Sequence, residues 1–127
     1  MKILESAENY LETILILREQ KGSVRAIDIA HHLGFSKPSV SVALKQLENN
    51  GFITRDSSGS IYLTSDGMEI AASIYERHSL LGKLFMMLGV SEETAMADAC
   101  KIEHDISAET FECIKKHYEI NRNKPDD

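Results

Sequence analysis

Tryptophan is absent from the 127 residues, cysteine and proline occur only twice each, and no apolar run approaches the length of a membrane span. Each shortage closes a class of protein. A bilayer-crossing helix needs about 20 predominantly apolar residues, and residues 1–11 are too polar for the apolar stretch of a secretory signal. No membrane partner and a cytoplasmic location are therefore expected. Cys100 and Cys113 stand on what read as different helices and make no disulfide framework, so both are expected as reduced thiols. With 43% apolar residues the chain can fold, as one compact unit or as two small subdomains sharing a core.

A net charge of -6 argues against a protein that coats nucleic acid indiscriminately, because phosphate neutralisation needs a local excess of Lys and Arg. That excess exists locally. Between Lys21 and Tyr62, five bases (Lys21, Arg25, Lys37, Lys45, Arg55) face three acids (Asp28, Glu48, Asp56), whereas from Val90 onward acids outnumber bases. The distribution suggests a DNA-facing front and an acidic back.

Apolar spacing and capping residues predict six helices and a hairpin. Ser6 reads as the cap of a first helix, with Tyr10, Leu11, Ile14, Leu15 and Leu17 at helical spacing up to Lys21 and Gly22. A short second helix covers Val24 to Leu33, ended by Gly34. Ser36 caps a third, with Pro38 in its first turn and Val40, Ala43, Leu44 and Leu47 facing inward. Two short helices joined by a glycine-containing turn are the signature of helix-turn-helix proteins. The strand formers Phe52 to Arg55 and Ser60 to Leu63 flank Asp56-Ser57-Ser58-Gly59, which predicts a hairpin wing. Thr64 or Ser65 opens a long fourth helix to Leu88, Ser91 a fifth and Ser107 a sixth, and Asn121 to Asp127 reads as a frayed tail. A small helical bundle with an incidental hairpin would use the same stripes.

The chemistry concentrates in Cys100-Lys101-Ile102-Glu103-His104. If residues 91–104 are helical throughout, Cys100, Glu103 and His104 stand at i, i+3 and i+4 and share one face. A thiolate, a carboxylate and an imidazole converging on one point suit a divalent transition metal. Softness puts iron(II) first, ahead of manganese(II), which prefers oxygen, and leaves zinc(II) open. Taken singly the residues have plainer readings: Cys100 as a small buried hydrophobe, His78 as a core or boundary imidazole, and Glu12 as a surface acid. Glu103 and His104 would be a solvated pair. His31, His32 and His117 read as surface or boundary residues.

An ordered set of motifs carries a resemblance over nearly the whole chain: Glu8-Asn9-Tyr10-Leu11-Glu12, Asp28-Ile29-Ala30, Ser39-Val40-Ser41, Leu63-Thr64-Ser65-Asp66-Gly67, Arg77-His78 with Leu81, and Cys100 to His104. With these the chain resembles the diphtheria-toxin-repressor family of metal-dependent transcriptional repressors, which includes the manganese transport regulators. The resemblance implies a mainly α protein. A winged helix-turn-helix domain over residues 1–71 would precede an all-helical metal-binding and dimerisation domain over residues 72–127. It also implies a homodimer that binds double-stranded operator DNA when loaded with metal and represses metal-uptake genes, with no organic cofactor.

Residue by residue, Glu12, His78, Glu103 and His104 match the family's ligand positions. Cys100 matches a ligand that is Cys in iron-responsive members and Glu in manganese-responsive ones. Asn9 falls where those groups have Met and Asp. The ancillary-site Glu and His of the iron-responsive group appear here as Gly82 and Met96. The chain ends before the third, SH3-like domain of longer members and is nearest in length to the two-domain type.

For DNA, the third helix is expected to enter the major groove by its N-terminal end. Ser36, Lys37, Ser39 and Lys45 can donate to phosphates or base edges, Pro38 and Val42 can touch thymine methyls, and Arg25 and Arg55 are phosphate candidates. Leu80, Leu81, Leu84, Phe85 and Met87 exceed one helical stripe and are expected at a dimer surface. One ion shared between Glu12 and the rear half would tie reader to dimer, whose two heads must sit about 34 Å apart on DNA. Such links are worth about 1–3 kcal/mol. Two rivals stand beside this: a winged-helix regulator triggered by an organic ligand or by Cys100 oxidation, and a metalloenzyme with Glu103 as general base. The second lacks any His-Glu-x-x-His motif.

Overall fold

The structure, a computed structural model, describes residues 5–122. In chain order it comprises α1 (Glu5–Lys21), α2 (Ala26–Leu33), α3 (Lys37–Asn49), β1 (Ile53–Arg55), β2 (Ile61–Leu63), α4 (Ser65–Met87), α5 (Glu92–Ile102) and α6 (Ala108–Arg122). Two compact units divide it, residues 1–73 and 74–127, and the division falls inside α4. Among the described residues, no helix is long and apolar enough to cross a membrane.

The first unit is a winged helix-turn-helix. Helix α1 stops where Gly22 adopts φ 81°, a left-handed conformation that other residues resist. Arg25 caps α2, its backbone N–H bonded to the Asp28 carboxylate at 2.9 Å, and Gly34 at φ 71° ends it. Ser36 caps α3 by accepting the Ser39 N–H at 3.3 Å, and Pro38 occupies the first turn, where its missing N–H is no loss. The hairpin pairs Ile53 with Leu63, Thr54 with Tyr62 and Arg55 with Ile61. Leu11, Ile14, Ile29, Val40, Leu44, Ile53 and Ile61 interlock at 0–1% exposure. Each such side chain contributes about 1.5–3 kcal/mol by leaving water.

Thr64 opens α4: its hydroxyl accepts the Gly67 N–H at 3.1 Å and donates to the Gly51 carbonyl at 2.7 Å. A β-carbon at residue 67 would collide with the Phe52 carbonyl oxygen. This close approach explains the glycine in Ser65-Asp66-Gly67.

In the second unit, the rear of α4 packs with α5 and α6. Gly89 at φ 102° turns the chain after α4, Ser91 caps α5 through the Thr94 N–H at 3.4 Å, and Ser107 caps α6 through the Thr110 N–H at 3.1 Å. Ala95 and Ala99, fully buried at i and i+4, let α5 approach its neighbours closely.

Four expectations are corrected. Ser6 lies inside the first turn of α1 and does not cap it. Helix α2 begins at Ala26, because the Val24 carbonyl accepts the Ile61 N–H at 2.8 Å and ties that segment to the wing. Helix α5 ends at Ile102, so His104 lies in the following turn and not on a continuing helical face. Asn121 belongs to α6, its side-chain amide bonded to the His117 carbonyl at 2.8 Å. The rest of the expected tail, residues 123–127, lies outside the described residues.

Candidate metal centre and DNA-reading face

Within the second unit, His78 from α4 meets the end of α5. One ligand atom each from His78, Cys100 and Glu103 lies within 4.8 Å of the others. His78 Nδ1 stands 2.9 Å from Glu103 Oε2, and His104 Nε2 stands 3.3 Å from Glu103 Oε1. The Glu103 carboxylate is fully enclosed and the His104 side chain is 2% exposed, so a carboxylate is held out of water between two imidazoles. A buried carboxylate is costly without a positive partner. Ligand atoms around one ion at 2.0–2.3 Å sit roughly 3–4.6 Å apart, so this donor set fits a divalent transition metal after a small contraction.

Cys100 is exposed, which removes the plain reading of a buried hydrophobe. Glu12 is 6% exposed, which removes the plain reading of an ordinary surface acid. Asn9 and Glu12 both belong to α1, in the first unit, three residues apart. Gly82 and Met96 lie against one another: a β-carbon on Gly82 would meet Met96 Sδ at 2.5 Å. Positions 82 and 96 are thus filled by a thioether packed on bare backbone.

The expected DNA-contacting residues Arg25, Ser36, Lys37, Pro38, Ser39, Val42, Lys45 and Arg55 are all exposed, Val42 at 60%. Two acids hold nearby bases. Asp28 takes Lys21 Nζ at 3.2 Å, and Glu48 takes an Arg55 Nη at 3.1 Å. The Asp28 carboxyl is held below its ordinary value, first by the Arg25 backbone N–H and then by Lys21. At the wing tip Asp56 is also held low, first by the Ser58 hydroxyl, with the Ser60 and Ser58 N–H groups and the Tyr62 hydroxyl helping.

Of the residues expected at a dimer surface, Leu81 is corrected: at 1% exposure it belongs to the protomer's own interior, on the inward face of the rear part of α4. Leu80, Leu84 and Phe85 are partly buried, while Met87 is 55% and its neighbour Leu88 74% exposed.

Two arginines with structural roles carried no signal that spacing could expose. Arg18 of α1 donates to the Ile61 carbonyl at 2.9 Å and lies over the Tyr62 ring at 4.4 Å, fastening the wing. Arg77 donates to the Glu103 and Ile106 carbonyls at 3.0 and 2.9 Å, beside the cluster of His78, Cys100 and Glu103. Only the adjacency of Arg77 and His78 in one motif hinted at it.

Residues 2–58 match the family described as "Iron dependent repressor, N-terminal DNA binding domain", and residues 64–127 match "Iron dependent repressor, metal binding and dimerisation domain". Among curated relatives, the transcriptional regulator MntR of Escherichia coli O6:H1 is 35% identical over 111 residues, 87% of this chain and 72% of the relative. An uncharacterized HTH-type transcriptional regulator of Methanocaldococcus jannaschii is 32% identical over 123 residues, 94% of this chain and 98% of the relative. Among solved structures, the manganese regulator SloR superposes with a TM-score of 0.78 at 27% identity, and the metal-dependent transcriptional regulator MtsR with 0.81 at 25%. Each superposition covers 89% of this chain and 53% of the other, so the chain spans about half the length of those two proteins. The two matched halves, lying in the order their descriptions require around a His, Cys and Glu cluster, show that the chain belongs to the iron-dependent repressor family, the family of the diphtheria toxin repressor and the manganese transport regulators.

Proposed function

We propose that the protein is a divalent-metal-dependent transcriptional repressor that, as a homodimer, holds operator DNA when loaded with metal. The observation that carries this is the enclosed Glu103 carboxylate with His78 Nδ1 at 2.9 Å and Cys100 Sγ in the same cluster. Residues His78, Cys100, Glu103 and His104 would hold the ion. When bound, the ion supplies positive charge to a buried carboxylate and fixed angles between its ligands. Glu12 and Asn9 enter as further ligands on the strength of the family resemblance. The exposed N-terminal end of α3, with Ser36, Lys37 and Ser39, would read the major groove, while Arg25 and Arg55 hold phosphates. Met87 and Leu88, apolar and exposed at the end of α4, support a dimer surface there. Regulation of metal uptake, in the cytoplasm and without catalysis, completes the proposal.

For the metal itself, the exposed thiolate of Cys100 favours iron(II), since sulfur beside nitrogen and oxygen donors suits it better than manganese. The manganese regulator SloR, 27% identical with a TM-score of 0.78, favours a second reading, manganese(II). The test is to strip the full chain with chelator, select a duplex from a random-sequence pool, and titrate iron(II) without oxygen, manganese(II) or zinc(II) while following duplex binding by anisotropy. Binding should require metal and reverse with chelator, and iron(II) should act at a lower free concentration than manganese(II). Equal binding in chelator would refute the proposal. Manganese(II) acting at lower free concentration than iron(II) would install the second reading.

A further inference from the structure

Arg77 and His78 are consecutive on α4, so their side chains leave the helix about 100° apart. Both nevertheless grip residue 103. His78 Nδ1 meets the Glu103 carboxylate at 2.9 Å, while Arg77 Nη1 donates to the Glu103 backbone carbonyl at 3.0 Å and to the Ile106 carbonyl at 2.9 Å. These carbonyls sit at the break between α5 and α6, where helix geometry leaves carbonyl groups without intrahelical donors and a cation is favoured. The guanidinium also lies over the Phe111 ring at 5.4 Å, and that ring is 5% exposed on α6. One side chain therefore closes the end of α5, the turn after it, and the start of α6.

That turn carries Glu103 and His104, and Glu103 has no exposed surface through which water could compensate a misplaced carboxylate. We propose that Arg77 is the positioning residue of the metal centre: it touches no ion, and it sets where Glu103 and His104 stand relative to His78 and Cys100. The proposal rests on the metal-centre reading above. Without the guanidinium, the two carbonyls must find other donors, and the turn keeps backbone bonds to α5, from the Glu103 N–H to the Ala99 carbonyl and from the Asp105 N–H to the Ile102 carbonyl, each at 3.0 Å, with the Ile106 end released. Removing an outer-shell partner of this kind costs about 10- to 100-fold in metal affinity. The neighbouring pair of Lys115 and Glu76, 2.8 Å apart, provides a control, because the two side chains, 35% and 49% exposed, bond to each other and not, among the bonds described, to residues 103–106.

The experiment is a cobalt(II) titration of the full chain, metal-stripped and reduced, read by the thiolate-to-cobalt absorption band and by the ligand-field bands that report coordination geometry. Arg77→Lys and Arg77→Gln should bind cobalt(II) about 10- to 100-fold more weakly, with altered ligand-field bands and unchanged helicity of the metal-free protein. Lys115→Gln should match wild type. Should Arg77→Gln lose helicity, Arg77→Lys carries the test, since it keeps the cation and loses the planar fork. Wild-type affinity and bands in the Arg77 variants would overturn the proposal, as would an equal loss in Lys115→Gln. Absence of the thiolate band from wild type would overturn the metal-centre reading and this proposal with it.

Discussion

Gly82 of α4 lies against Met96 of α5 so closely that a β-carbon on residue 82 would meet Met96 Sδ at 2.5 Å. A glycine inside a helix costs about 1 kcal/mol relative to alanine, so its use here reflects the approach of the two helices. Gly82→Ala should gain that propensity and lose more by overpacking, which typically costs about 1–3 kcal/mol. In a Met96→Ala background the obstruction is gone, and the same change should stabilise by about 0.5–1 kcal/mol. Urea midpoints of the four proteins decide it. Additive effects would mean that the helices separate freely and that the contact does not constrain them.

Cys100 is the softest donor in the cluster and also its exposed edge. Cys100→Ala should leave helicity intact and weaken metal binding by more than the roughly 10- to 100-fold expected for an outer-shell partner. Cys100→Glu should retain binding and shift preference toward manganese(II), because it replaces sulfur with oxygen. Competition between manganese(II) and cobalt(II), read by isothermal titration, measures the shift. An unchanged ratio of the two affinities in Cys100→Glu would remove residue 100 from the site.

Caps and periodicity made the first unit legible: Gly34, Ser36 with Pro38, and the Asp56-to-Gly59 turn each announce an element end by local chemistry. The ends of α2 and α5 were less legible because tertiary bonds decide them. Val24 reads as helical by pattern and is recruited by the Ile61 N–H, and the Arg77 fork holds the turn that takes His104 off the α5 face. Softness and spacing suggested Cys100, Glu103 and His104, but only the fold brings His78 to Glu103, because their sequence separation of 25 carries no periodic signal. The burial of Glu12 was likewise unreadable, since a Glu on a helix is ordinarily solvated.

Two carboxylates give the first unit a defined response to acid. Asp28 and Asp56 are both held below their ordinary range when folded, by the Arg25 N–H and by the Ser58 hydroxyl respectively. A group whose folded value is depressed adds stability above its unfolded value of about 3.9 and loses it as pH falls through the folded value. Asp28→Asn should therefore be less stable than wild type near pH 7, and the difference should shrink in acid as pH falls through the depressed folded value, where the wild-type carboxyl becomes protonated too. Asp56→Asn should behave alike with a smaller gap, its carboxyl being fully exposed. Urea midpoints near pH 7 and in acid measure both. A gap that persists in acid would assign the effect to lost packing rather than to charge.

Glu48 is the only acid on α3, and it holds Arg55 of the wing at 3.1 Å, with both side chains about one-third exposed. An exposed pair of this kind contributes only about 0–1 kcal/mol to stability, yet it occupies a cation expected to meet phosphate. A phosphate approaching Arg55 must compete with Glu48 and is repelled by it. Glu48→Gln should thus strengthen operator binding and steepen its salt dependence by up to about one unit of slope in log K against log salt, at little cost in stability. Arg55→Gln should weaken binding and flatten that slope by a similar amount. In an Arg55→Gln background, Glu48→Gln should lose most of its effect, since the freed cation no longer exists. Anisotropy titrations of the metal-loaded protein across a range of salt provide all four slopes, and a gain from Glu48→Gln that survives without Arg55 would locate the repulsion at another contact of α3.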